Sequence, residues 1–357
     1  MLRVPRLPPA DPRHFDELRA RPGCAAGASA PDGLLAPHWA DFFEQVPVDQ
    51  PQELDSRADR VARLLRDNGV TYNVYADDGG AQRPWSLELF PLLLTAADWQ
   101  DIEAGVLQRT RLLEAVMADI YGAQALIADG LLPSALIHGH PDYQRPLHGT
   151  RPLGGRFLHL LAFDLARGPD GRWWVVAQRA QAPSGLGYLL ENRMAISAQF
   201  PEAFAALAVR RLGSSYRRLI RALKDMTGAG GEAHLALLTP GPHNETHAEQ
   251  SMLARYLGLS LVEGSDLTVR RERLYLKTLH GLRPVHGLIR RVDDSWVDPL
   301  EARGDSQLGV PGLMQAVRAG QVLVANAIGS GVLESSALLG FLPALSQRLL
   351  DEELRLP

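Results

Sequence analysis

The chain is short of covalent and metal cross-linking residues: Cys24 is the one cysteine among 357 residues. A single thiol excludes an intrachain disulfide framework and a thiolate metal site, and it fits a reducing compartment. Long apolar runs are missing too. None approaches the roughly 20 residues that cross a bilayer, and the opening MLRVPRLPPADPR has no apolar block of the signal-peptide kind. The expectation is a soluble, cytoplasmic protein without a membrane partner. Net positive charge is also lacking. The net charge is −4 and the isoelectric point is near 6.3, so no broad field attracts nucleic acid. A GxxxxGK[ST] phosphate loop and a GxSxG nucleophile elbow are both absent, which removes the simple P-loop and α/β-hydrolase assignments.

Apolar residues make up 46% of the chain and charged residues 22%, a balance that excludes disorder throughout. The length exceeds the usual size of one core, so two compact units are expected. Residues 1–38 mix Pro, Arg, Gly and Ala without periodicity and predict a flexible arm. Leu54, Val61, Leu64 and Leu65 recur at helical intervals before Gly69, which predicts a helix with a glycine stop. A strand is predicted from Val70 to Tyr75. Thr95 and Asp98 then open a long helix in the manner of a capping box.

Two apolar runs, Leu158 to Leu165 and Trp173 to Ala177, flank Gly168-Pro169-Asp170-Gly171 and predict a hairpin. After Pro183 the chain becomes small and polar. Ser184, Gly185 and Gly187 would let a backbone approach a ligand, and Glu191, Asn192 and Arg193 follow. Residues 201–226 read as helical, with arginines on a solvated face, and Gly228 to Gly231 mark a hinge.

Beyond that hinge HLALLTPG, NETHAEQSMLARYLG and LSLVEG form a strand–helix–strand order, which demands a parallel sheet. LTVRRERLYLKT predicts a hairpin, Val285 to Val292 a strand, Pro311 to Ala319 a helix and Val322 to Ala325 a last strand. Ligands of open α/β sheets gather at the carboxyl ends of strands. That singles out four loops: Thr239 to Thr246, Val262 to Leu267, Arg290 to Leu300 and Asn326 to Ser335. Each alone is also explained by an N-cap, a turn, an ion pair or a glycine bend. His243 and His247, with Glu245 between them, have helical spacing for zinc, but Asn244 stands where a zincin carries glutamate. Gly329-Ser330-Gly331 imitates a dinucleotide fingerprint, with Glu334 in place of its third glycine.

In chain order, NGVTYNVY, EAGVLQRTRLLEAVMADIYG, APSGLGYLLENR, LTPGPHNET, LVEGSDL, RRVDDSWVDPL, DSQLGVPGL and NAIGSG resemble the circularly permuted ATP-grasp family (type 2). That family is related to glutathionylspermidine synthetase-like carboxylate-amine ligases. The resemblance implies an α/β fold: a permuted ATP-grasp lobe with helical insertions over 39–227, then a Rossmann-like pre-ATP-grasp domain with a mainly parallel sheet over 232–350. It implies ATP and Mg²⁺ as cofactors and an acyl phosphate that joins a small-molecule or peptide carboxylate to an amine.

On this reading Arg290, Arg291 and Asp293 are catalytic and Asp164 is a metal ligand. Substrate or nucleotide contacts fall to Arg179, Ser184, Gly185, Asn192, Arg193, Asn244, Glu263, Asp266, Asp298, Asn326, Gly329 and Ser330. The pattern departs from the family where its acidic pair and asparagine become Ala177, Gln178 and Arg179. It departs again after NAIGSG, where Leu333, Glu334, Ser335 and Ser336 stand in place of an acidic residue and a lysine. Pro357 precedes the lysine strand and glycine-rich loop of longer relatives. These departures carry the alternative expectation, a catalytically silent or partial relative that binds a peptide or a partner protein supplying missing elements.

Overall fold

The computed structural model describes residues 11, 13–19, 35–46, 49–72 and 85–357. Asn73, Val74 and Tyr75 of the expected strand lie outside the described residues. Within the expected arm, Arg19 bridges Leu35, and Arg167 bonds Glu17 at 3.1 Å while lying 3.8 Å over the Phe15 ring.

Strands β1 (Ala162–Arg167) and β2 (Trp173–Arg179) form the expected antiparallel hairpin, with Gly171 at φ +86° in its turn. The first strand starts at Ala162 rather than Leu158, because the Asn326 side chain takes the amides of His159 and Leu160. The long helix Ala96–Ile120 starts at Thr95, whose hydroxyl oxygen accepts the Asp98 amide at 3.1 Å. The Asp98 carboxylate accepts from the Thr95 hydroxyl and from Arg167.

The sheet that organises the second half is parallel. β3 (Leu235–Leu238) and β4 (Ser260–Val262) flank the helix His247–Leu257, which ends at Gly258 with φ +68°. β5 (Leu267–Arg270), β6 (Arg273–Thr278) and β7 (Gly281–Pro284) form an antiparallel meander. The predicted hairpin turns through Arg271 and Glu272, both at positive φ, and β7 extends it by an unpredicted strand. β8 (Gly287–Arg290) and β9 (Leu323–Ala325) complete the sheet in the order β4-β3-β8-β9, every pair parallel.

Alternation explains why these strands read as continuous apolar runs. Ala236, Leu238, Leu288 and Val324 join the largest core, whereas Leu235, Ile289, Leu323 and Ala325 pack on Leu223. Both faces are covered, so both sets of side chains are apolar. The largest core draws on residues from Leu112 to Ala180 and from Ala236 to Leu345, on both sides of Gly228–Gly231.

Two expectations are corrected here. The polar segment after Gly185 is the helix Leu186–Gln199, with Tyr188, Leu190, Ala195 and Ile196 buried and Trp85 stacked 4.2 Å from Tyr188. Gly187 does permit a close approach, but to protein: a Cβ there would stand 2.6 Å from the Glu249 carbonyl oxygen. Residues 201–226 divide into Pro201–Ala206 and Gly213–Met226, with Ala208 at φ +48° between them. Among the described residues no helix is long and apolar enough to cross a membrane.

Because backbone atoms cannot yield as a side-chain tip can, Gly187→Ala is expected to cost about 1–3 kcal/mol. Gly231→Ala, which meets nothing within 4 Å, should stay within about 0.5 kcal/mol of the parent. Chemical denaturation of both variants checks the contrast.

Candidate functional site at the strand ends

Parallel pairing puts the carboxyl ends of β4, β3, β8 and β9 on one rim. At its centre Arg290 is 1% exposed. Its Nε donates to the Asn326 carbonyl at 3.0 Å, Nη1 to Val292 at 2.9 Å, and Nη2 to Ala327 at 3.1 Å and the Ser330 hydroxyl at 3.2 Å. Asp294, equally buried, pairs with it at 2.6 Å and accepts the Gly329 and Gly331 amides, each at 2.8 Å. Burial removes hydration from both ions, so the pair stands because these bonds replace it. Every nitrogen of Arg290 is bonded within the chain, which does not leave it shaped for substrate. The amides that a dinucleotide phosphate would need at Gly329 and Gly331 are likewise occupied by Asp294.

Asn326 ties this network to the first half. Its Oδ1 accepts from the amides of His159 at 2.6 Å and Leu160 at 2.8 Å, and its Nδ2 donates to the carbonyls of Leu160 and Ala180, both at 2.5 Å. Ser330 donates its hydroxyl to the Ala180 carbonyl at 2.9 Å. Gly329, at φ +93°, lies where a Cβ would overlap the Tyr121 hydroxyl, which donates to the Gly329 carbonyl at 3.3 Å. Beside this seam burial holds the His159 imidazole at about pKa 4, well below its usual range.

Several other expected contact residues bond within the chain. Asp298 accepts the amides of Leu300, Gly312 and Met314 and so fixes the start of the helix Leu313–Arg318. Glu263 and Asp266 cap one another's backbone. Asn244 accepts from the Thr246 amide and from Gln250. Asn192 accepts from the Trp85 indole at 2.9 Å, and Arg193 donates to the Arg210 carbonyl at 2.7 Å.

The two halves meet a second time under the exposed Ser184. Arg291 Nη1 donates to the Pro183 carbonyl, while the amides of Gly185 and Gly187 donate to Glu249 Oε1 at 3.3 and 2.8 Å. Arg291 Nη2 lies 3.9 Å from that same oxygen, too far for a hydrogen bond. Arg291 Nε and Nη2 and Glu249 Oε2 are all buried without hydrogen-bond partners. Burial lowers the Arg291 pKa, and Glu249 opposes the shift. Glu249 carried no signal in the sequence; only the fold brings its carboxylate beneath two glycine amides 62 and 64 positions away.

Carboxylates gather beside the seam. Asp293 is exposed, yet desolvation by the surrounding protein and then the charges of Asp294, Asp142 and Glu334 raise its pKa against the opposing pull of Arg290. Burial raises Asp142 as well. Glu334 accepts the amides of Ala180 and Gln181, each at 2.7 Å. Among the described residues no group of three His, Cys, Asp or Glu side chains could hold a metal ion. At the position that family kinship assigns to magnesium, Asp164 is bonded to Arg179 at 2.9 Å and faces Ala177 across the ladder. One carboxylate held by a fixed guanidinium does not fit a divalent cation. No metal-dependent step is therefore assigned to it.

The profile of the circularly permuted ATP-grasp type 2 family matches residues 91–357. The chain belongs to this family. An uncharacterized protein of Mycobacterium tuberculosis is 38% identical over 346 residues, covering 94% of this chain and 39% of the relative. One from Mycobacterium leprae is 37% identical over 322 residues, covering 90% and 56%, and one from Synechocystis is 34% identical over 349 residues, covering 96% and 70%. The chain thus spans only part of the mycobacterial relatives that it matches.

Four backbone partners converge on Asn326, so Asn326→Ala should cost about 3–5 kcal/mol by stranding buried amides and carbonyls. Thermal and denaturant unfolding measure it. Glu263→Ala, at the exposed cap of a short turn, is expected to cost about 1 kcal/mol.

Proposed function

We propose that the chain takes part in ATP-dependent joining of a carboxylate to an amine, with the acid seated where the Pro183–Gly187 loop meets the end of β8. Family membership supports ligase-like chemistry in general, and Arg291 is the observation that carries the location. A buried guanidinium with two nitrogens that make no hydrogen bond is costly. An incoming carboxylate or phosphoryl oxygen would supply the missing acceptor. The expected reaction passes the terminal phosphoryl of ATP to a carboxylate oxygen, releasing ADP. The amine nitrogen then attacks the acyl carbon, loses a proton and expels phosphate.

In this scheme Arg291 receives the anion. Glu249 positions the glycine loop, and Arg290 positions the 290–298 segment. Arg179 meets phosphate charge at the hairpin edge in place of a metal. The kinship with glutathionylspermidine synthetase-like ligases suggests small-molecule or peptide acids and amines as substrates. A second reading, a silent family member that binds a peptide or a partner protein, is favoured by the Asp164–Arg179 pair.

Titration calorimetry with ATP, with and without Mg²⁺, followed by ADP release against amino acids and short peptides, separates the two. The ligase reading expects sustained ADP release only when an acid and an amine are both present, and at most about one equivalent with the acid alone. Arg291→Met should lower the rate by about 100-fold or more, with Arg291→Lys restoring part of it. Arg179→Ala should abolish ATP binding that EDTA leaves intact. Peptide binding without ADP from any mixture would reject the ligase reading in favour of the silent one.

A further inference from the structure

A second site stands at the opposite end of the sheet from the rim. The helix Gly213–Met226 lies against β3 through Leu223 and Leu235. With Tyr256 at the end of the helix His247–Leu257, it encloses an open groove of 630 Å³ beside Gly230 and Gly231, which lead into β3. That volume is in the range of small-ligand pockets.

Arg217, Arg221 and Lys224 line the groove. Their spacing of four and three residues puts them on one helix face, and from first to last they span about 10 Å along the axis. No ion pair or hydrogen bond ties these three side chains to another described residue. Three cations against the single carboxylate of Asp225 give the groove lining a positive balance, in contrast with a chain whose net charge is −4.

The cations are not needed to finish their helix. Its last turn is closed by Thr227, whose amide and hydroxyl both donate to the Lys224 carbonyl, and by Gly228, whose amide donates to Asp225. The rest of the lining is aromatic and apolar. Tyr256 is 48% exposed, and its ring meets Tyr216 edge-on at 5.8 Å, while the Tyr216 hydroxyl is engaged with the Leu186 carbonyl at 2.6 Å. Tyr256 therefore offers a ring face, and Ile220 an apolar floor. Asp225 is the one carboxylate lining the groove and disfavours an anionic group placed next to it.

We propose that this groove binds a small polyanion with two or three negative charges spread over about 6–10 Å, carrying an apolar or aromatic part that packs on Tyr256. Arginine forks suit carboxylate and phosphate oxygens alike, so a phosphorylated metabolite and a short acidic peptide present the same chemistry. The site is separate from the strand-end rim and does not depend on the ligase reading.

Titration calorimetry of the full chain with inorganic tripolyphosphate and with the tripeptide Glu-Phe-Glu tests it at low and moderate salt. At least one probe should bind saturably with Kd below about 1 mM. The Arg217→Ala/Arg221→Ala double variant should weaken that binding by about tenfold or more. Binding should also weaken as salt rises. Tyr256→Ala should weaken the tripeptide but spare tripolyphosphate. Tripolyphosphate binding alone identifies a phosphorylated ligand, and tripeptide binding alone an acidic peptide. These side chains are exposed, so an unchanged melting temperature shows that the variants fold. Arg63→Ala, on the separate helix Pro51–Asp67, is the control. Failure of both probes to bind, binding that the double variant leaves intact, or equal loss in Arg63→Ala would overturn the proposal.

Discussion

The buried pair of Arg290 and Asp294 is the interaction on which the architecture at the rim depends. Both side chains are wholly shielded from solvent, so neither could stand there alone without a cost of several kcal/mol. Their remaining hydrogen-bonding capacity is met by the backbone at Val292, Asn326, Ala327, Gly329 and Gly331. Satisfying the charges thereby dictates the course of two loops. Those loops carry Asn326 and Ser330, which bond the backbone at Leu160 and Ala180, so the pair also couples the parallel sheet to the β1–β2 hairpin.

What local sequence could reveal follows from this arrangement. The strand–helix–strand unit was legible because four buried residues of β3, a helix and Gly258 are each local signals. The β5–β6 hairpin was legible for the same reason. The helix Leu186–Gln199 was not, because Pro183, Ser184, Gly185 and Gly187 read as loop punctuation. The fold uses Gly187 for contact between helices and Gly185 to begin one. Strand-end placement singled out Arg290, Asn326, Gly329 and Ser330, and the fold brings them together. Their saturation was hidden, since each is completed by partners far along the chain. Arg291 and Glu249 present the reverse case: the partners left missing, not those present, make the spot unusual.

The same logic separates three kinds of charge around the rim. Arg290 is fully paired and rigid, which suits a scaffold. Arg291 is nearly as buried but incompletely paired, which is the feature that the proposed anion site rests on. Asp164 and Arg179 form a third case, an exposed pair in which a fixed cation occupies the carboxylate that kinship assigns to magnesium. Family membership and these local departures are compatible because the scaffold persists while the charges along the hairpin differ from those that the resemblance implies.

The central claim is that the Arg290–Asp294 pair and Asn326 weld the two halves into one cooperative unit. Native-state hydrogen exchange at the amides of His159, Leu160, Gly329 and Gly331 tests it most directly. These amides are expected to exchange only through global unfolding, with opening free energies within about 1 kcal/mol of the whole-chain value. Exchange of the Gly329 and Gly331 amides through a local opening about 3 kcal/mol or more below that value would contradict the claim.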